Sequence, residues 1–314
     1  MSPADTLFAG ISTAGEDPNL RHFAWDMSPE CLEERILKAE ITAGRLGNNY
    51  ISAKNAIIFS LFYKFKKLLL LKRDGTFFLE GPFVKESEFL AHEKCLATSM
   101  YSTLFLYMDP DFYCRENPEL YAEAMSIIRE SFILKVDPVP IPANILVIHV
   151  RSGDLFSPSP HPNYVQPPFC WHQACIMTHR ALYPKMAVLV VAEDRLNPCV
   201  DAIISFCGKL KIPCQLQSAS LEEDFAHVMG ASSLVSSFGS FIAPVIDLNA
   251  NLAHLYRYRR RYVKPGRYIP QSQWKNTEEQ RRLMLELPLD ALALPEDFGQ
   301  DSYFARETAE PYKH

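Results

Sequence analysis

The stretch Ile145-Leu-Val-Ile-His-Val-Arg-Ser-Gly-Asp154 constrains the chain most. It opens on a β-branched apolar run, the composition of a strand buried on both faces, and such strands belong to parallel sheets covered by helices. It closes on Arg151, Ser152, Gly153 and Asp154. A buried parallel strand delivers the residues that follow it to the carboxyl edge of an open α/β sheet, where ligands bind. A guanidinium at that edge suits a phosphate, because its planar fork gives two parallel hydrogen bonds to an anion. Gly153 permits a turn with positive φ. Taken alone, Arg151 and Asp154 also fit an ordinary ion pair at a strand end.

The pattern after residue 144 repeats this theme. Strands are predicted at Ile145–Val150, Ala187–Ala192, Cys214–Gln217 and Ser233–Ser236. Helices are predicted between them, near Gln173–Leu182, over Pro198 to Leu210 with Asn197 as cap, and around Phe225–Met229. Ser220 and Glu223 form a capping box ahead of the third. A further helix is expected from Phe241 to Leu248, and another at Glu278–Glu286. Alternating strand and helix of this kind predicts a parallel sheet with crossover helices.

Upstream, Gly44-Arg-Leu-Gly-Asn-Asn49 reads as a turn with two glycines. It precedes a helix over Tyr50–Phe65 and a strand at Lys67–Lys72. Glu33 to Ile41 suits a short helix or a strand, and Pro118–Ile133 an amphipathic helix. Asp137-Pro-Val-Pro-Ile-Pro-Ala143 is stiff and extended, as a domain linker would be. Three parts follow: an N-terminal Rossmann-like domain over 1–140, a second over 141–262, and a C-terminal extension over 263–314 that packs back on the domains. Two such domains facing one another make a cleft.

Composition narrows the partners. Of 314 residues 48% are hydrophobic and 22% charged, with a net charge of −5, so nothing draws the chain globally to nucleic acid or to an anionic membrane. The most apolar long run, Ala56 to Leu71, is broken by Lys64, Lys66 and Lys67 and is not a membrane span. The first forty residues carry no signal-peptide pattern. The eight cysteines lack disulfide-framework spacing and read as buried thiols, which suits a cytoplasmic protein.

Three segments stand in order along the chain. They are Gly44-Arg-Leu-Gly-Asn-Asn49, His149-Val-Arg-Ser-Gly-Asp154 and Phe225-Ala-His-Val-Met-Gly-Ala-Ser-Ser-Leu-Val-Ser-Ser-Phe-Gly-Ser240. In this order they resemble the motifs of the fucosyltransferase superfamily with the two-Rossmann (GT-B) architecture, which includes α1,2-, α1,6- and protein O-fucosyltransferases. The resemblance carries over to Gly44, Gly47 and Asn48 in the first segment. In the second it reaches His149, Arg151, Gly153 and Asp154, and in the third Ser236, Ser237 and Phe238. It implies GDP-fucose as donor, a glycan or protein acceptor, inversion at the anomeric carbon, no metal, and no cofactor beyond the donor. Arg151, Asn48 and Asp154 would then be catalytic, and the other matched residues would bind the donor. Many members of that superfamily have a second arginine where this chain has Ser152, and Gln is usual where Asn49 stands. A non-catalytic binding protein of the same fold, or a transferase for another nucleotide sugar, are the competing expectations.

Other residues keep two readings each. Asp194, with Glu193, follows a strand and suits a contact to guanine or ribose, a metal, or a solvated loop. His149 is a packed residue or a ligand contact. Cys170, His172, Cys175 and His179 form a loose zinc set or part of a helix core. Tyr256-Arg-Tyr-Arg-Arg-Arg-Tyr262 interleaves rings and charges, as a nucleic-acid or phosphate strip would, or a surface element that pairs with nearby carboxylates. Asp154 and His161 are the candidates for general base. No Asp-x-Asp pair follows a predicted strand, which argues against a metal-held diphosphate.

Overall fold

The computed structural model describes residues 36–41, 46–62, 67–72, 110–114, 117–131, 137–295 and 298. The chain divides between Lys135 and Val136 into two compact units.

In the first unit, β1 (Ile36–Ile41) and β2 (Lys67–Lys72) pair in parallel, Ile36 opposite Lys67 and Ile41 opposite Lys72. Helix α1 (Leu46–Phe62) joins them into a β-α-β element. It packs with α2 (Pro110–Cys114) and α3 (Pro118–Ser131), and Tyr113 meets Phe59 and Phe62 edge-on at 5.7 and 4.9 Å. The glycine turn expected at 44–49 is corrected in part. Leu46 to Asn49 already form the first turn of α1, and Gly47 is buried within it. Burial of a helix outweighs the roughly 1 kcal/mol that a helical glycine costs. Gly44 lies outside the described residues.

The second unit is built on a five-stranded, wholly parallel sheet. Its strands are β3 (Ile145–His149), β4 (Ala187–Val191), β5 (Cys214–Gln217), β6 (Ser233–Ser236) and β7 (His254–Arg257). Their order is β5-β4-β3-β6-β7. This is a Rossmann-like order, in which the chain starts at the centre, moves outward, then returns to the other side of β3. Strand β3 is accordingly the most enclosed, with Leu146, Val147 and Ile148 wholly buried. Val147 pairs with Leu189 on one side and Leu234 on the other.

Helices α4 (Phe169–Leu182), α5 (Cys199–Lys209), α6 (Leu221–Met229) and α7 (Ala243–Leu248) connect the strands. Helix α4 starts four residues before the expected position, immediately after Pro168. Helix α7 starts later than expected. A 3-10 turn over Ser240–Ile242 comes first, and Pro244 stands at the helix start, where a missing N–H costs nothing. The capping box of Ser220 and Glu223 is present in both directions.

Strand β7 has no counterpart among the expected strands. Its Tyr256 is buried and its Arg257 half-buried, and the alternation runs on past the strand to buried Tyr258 and half-buried Arg259. The period of two puts the rings inward; of the interleaved charges only Arg257 lies in the strand, and Arg260 and Arg261 open a 3-10 turn over Arg260–Tyr262. Tyr262, just beyond, stacks on Trp171 with ring centroids 5.7 Å apart. The proline stretch before β3 is bonded into this unit: Val139 N–H donates to Ala226 O (3.0 Å) and Ile141 N–H to Gly230 O (2.9 Å). After β7 the chain returns over the same unit. Val263 bridges Leu292, buried Trp274 donates from Nε1 to Leu155 O (2.7 Å), and α8 (Glu278–Glu286) buries Met284.

Candidate functional site

The strand order reverses between β3 and β6, and in open α/β sheets the carboxyl edge at such a reversal is where ligands bind. Arg151 sits there, just beyond β3. The chain then turns through Gly153 (φ 55°) into a 3-10 turn over Gly153–Phe156. Leu155 and Phe156 are buried, and Phe156 packs edge-on against Trp274 at 5.4 Å, which anchors the turn. The Arg151 side chain is 16% exposed. Its guanidinium carbon lies 4.8 Å from the Tyr164 ring centroid, a cation–π contact. One terminal nitrogen is 3.8 Å from Asp154 Oδ2, so the ion pair expected at the strand end is present as a long contact. The other lies against Gly239, 2.6 Å from where a Cβ would stand.

The second wall comes from β6. Ser236 and Ser237 are buried, and among the described residues the Ser236 hydroxyl has no hydrogen-bond partner. Ser237 Oγ is 2.8 Å from His149 Nδ1. The His149 ring stacks on Phe241 at 4.7 Å. Burial, helped by the Arg151 charge, pushes the His149 pKa down to about 3, so the imidazole is neutral. Of its two expected readings, His149 therefore fits a packed residue that orients Ser237. If Nδ1 carries the proton and donates to Ser237 Oγ, the serine proton is left for an anion at this edge. Phe238 is 36% exposed, and its carbonyl accepts from Gln166 Nε2 at 3.1 Å. The same amide bonds Tyr164 O at 3.1 Å, and the Tyr164 and Phe238 rings lie 6.2 Å apart.

The third wall follows β4. The exposed Glu193 carboxylate packs onto Gly153, in the space a Cβ would fill. Asp194 turns inward: its Oδ1 accepts from the Ser152 hydroxyl and from Leu196 N (2.8 Å). That oxygen is engaged within the protein, and the metal reading of Asp194 draws no support from its surroundings.

One sheet edge thus gathers His149, Arg151, Gly153, Asp154, Asp194, Ser236, Ser237 and Phe238. Gly47 and Asn48 belong to the first unit, where Asn48 is half-buried in the first turn of α1. Tyr164 and Gln166 were not singled out from the sequence. Their signal was an aromatic and an amide among prolines, which means nothing until the fold places them beside Arg151 and Phe238.

The zinc reading of the α4 residues is replaced by a packing one. The His179 ring is committed on both sides, to Ala143 O (2.8 Å) and Tyr256 OH (3.1 Å). Cys170, His172 and Cys175 are buried, and among the described residues no group of three or more His, Cys, Asp or Glu is arranged to hold a metal ion. Burial lowers His172 to about 3 and His179 to about 4. Together with His149 they make the fold acid-sensitive. Below the ordinary value of 6.5 the unfolded chain takes up protons that the folded chain refuses, until the pH reaches the folded values near 3 and 4. Stability should fall by about 1.4 kcal/mol per pH unit for each such histidine. Urea midpoints measured at about pH 7.5 and about pH 5.5 should show the lower midpoint at the acid end; an equal or higher one there would contradict the buried neutral rings.

Among the described residues, no helix is long and apolar enough to cross a membrane. The cysteines Cys114, Cys170, Cys175, Cys199, Cys207 and Cys214 are free thiols. Scans against protein-family models, curated proteins and solved structures give no match for this chain.

Proposed function

We propose that this chain is an inverting, metal-independent glycosyltransferase of two-domain GT-B design, transferring fucose from GDP-fucose to a glycan or protein acceptor. The observation that carries the reading is the position of Arg151, held between Tyr164 and Gly239 at the point where the strand order reverses. Sugar transfer from a nucleotide passes through an oxocarbenium-like transition state while negative charge grows on the departing diphosphate. Fixed positive charge and hydrogen-bond donors aimed at that charge lower the barrier. Arg151 supplies the charge and Ser237 a hydrogen-bond donor, with Phe238 next in the chain as an apolar wall. Asn48, from the first unit, and Asp154 complete the set that the motif resemblance implies.

One observation favours a second reading, a GDP-sugar-binding protein without transfer. Ser152 stands where many members of the resembled superfamily have a second arginine, and its hydroxyl is turned into the protein. Incubation with a panel of nucleotide sugars in excess EDTA, with release of free nucleotide as readout, separates the readings. GDP release from GDP-fucose, undiminished by EDTA, is the expected result. Binding without release supports the second reading, and release from another nucleotide sugar changes the donor. Activity abolished by EDTA and restored by Mg²⁺ or Mn²⁺ would overturn the arginine-centred chemistry.

A further inference from the structure

Ser152 is 1% exposed, and its hydroxyl both donates and accepts: it donates to Asp194 Oδ1 and accepts from Asn197 N at 2.9 Å. Asp194 Oδ1 also accepts from Leu196 N (2.8 Å) and faces Gly153 N at 3.5 Å. Asn197 is 2% exposed and uses both ends of its amide. Nδ2 donates to Arg151 O at 2.9 Å, and Oδ1 accepts from Cys199 N, the first N–H of α5, at 3.0 Å. The loop after β4 is thereby bonded to three consecutive residues after β3: the Arg151 carbonyl, the Ser152 hydroxyl and the Gly153 amide. Hydroxyl, carboxylate and amide are matched donor to acceptor, as buried polar groups must be.

We infer that Ser152, Asp194 and Asn197 form a latch that positions Arg151 by fixing its main chain, so that Ser152 is a positioning residue of the site and not the remnant of a lost arginine. An arginine side chain has four soft torsions, and its guanidinium is only as well placed as the backbone from which it springs. Tyr164 and Gly239 hold the far end. The latch holds the near end. It also gives Asp194 a role that differs from donor contact: its Oδ1 is consumed in joining two loops. The inference rests on the proposed nucleotide site only for the identity of the ligand.

Two readouts test it, the Kd for GDP by calorimetry and the rate at which phenylglyoxal modifies Arg151, read by peptide mass. Ser152→Ala should weaken GDP about tenfold, the loss of about one buried hydrogen bond's worth of positioning, and should raise the modification rate severalfold. Ser152→Thr, which keeps a hydroxyl, should restore both toward wild type. Asn197→Asp keeps the acceptor for Cys199 N but loses the donor to Arg151 O, and should behave as Ser152→Ala does even if that variant folds poorly. Ser233→Ala loses a similar bond, Ser233 Oγ to Ala143 O at 2.9 Å, at the opposite end of the sheet, and should leave both readouts unchanged. Unchanged Arg151 reactivity in both Ser152→Ala and Asn197→Asp would overturn the latch. If the wild type binds no GDP, the nucleotide reading fails while the reactivity comparison still decides the latch.

Discussion

Arg151→Lys is expected to lose most of the turnover and to weaken GDP by roughly ten- to a hundredfold. The substitution keeps the charge, so the loss measures geometry. A guanidinium offers a planar fork that meets two phosphate oxygens at once, and its flat face rests on an aromatic ring. In this site that face lies 4.8 Å from the centre of Tyr164. An ammonium is a point charge that can neither stack in the same way nor give the paired bonds. Losing one charge-assisted hydrogen bond costs about 1.5–3 kcal/mol, which sets the range. Near-normal kcat/KM with GDP-fucose, together with wild-type GDP affinity in the lysine variant, would remove Arg151 from the centre of the site.

The second large effect is expected at Gly239. Its φ of 151° and ψ of 169° lie in a region that side chains rarely enter, at a cost of about 1–3 kcal/mol for a non-glycine residue. A Cβ added here would also stand 2.6 Å from an Arg151 terminal nitrogen, well inside contact distance. Gly239→Ala should therefore lower the melting temperature and displace the guanidinium, reducing GDP affinity by at least about tenfold. Gly266 is the control. Its φ is 73°, but nothing lies within 4 Å of an added Cβ. Gly266→Ala should lose stability from backbone strain alone and retain GDP binding. Wild-type GDP affinity in Gly239→Ala would mean that the guanidinium does not depend on the open space above that glycine.

The second domain's sheet was legible where one period dominated. Strands β3 and β4 are short runs rich in β-branched residues between helix signals, and Ser220 with Glu223 is a local motif that needs no tertiary partner. Strand β7 was hidden because it is only four residues long and runs straight into the arginine-rich segment that starts at its last residue, Arg257, so a half-buried strand looked like part of a charged strip. In the first unit, Gly47 misled in the other direction: a glycine that suggests a turn is carried inside a buried helix. The candidate site divides the same way. His149 and Ser236 end buried strands, Arg151 and Ser237 come within two residues of those ends, and a strand end can be read from sequence. Gln166 reaches the site through a bond to a residue 72 positions away, and Asn197 to one 46 positions away. Asn197 was readable as a helix cap, but its second bond, to Arg151, depends on β3 and β4 lying side by side. Ser152 shows the limit most clearly. Set against a motif it looks like a loss, and only the fold supplies Asp194 and Asn197 as its partners.

The most direct measurement compares GDP with guanosine as ligands for the wild-type protein by isothermal titration. The two share base and ribose and differ in the diphosphate alone. A site centred on Arg151 and Ser237 should bind GDP at least about a hundredfold more tightly than guanosine, in line with two or more charge-assisted hydrogen bonds, and the difference should shrink as salt is raised. Equal affinity for both ligands, or no binding of GDP at any salt concentration, would contradict a diphosphate site at the β3–β6 edge.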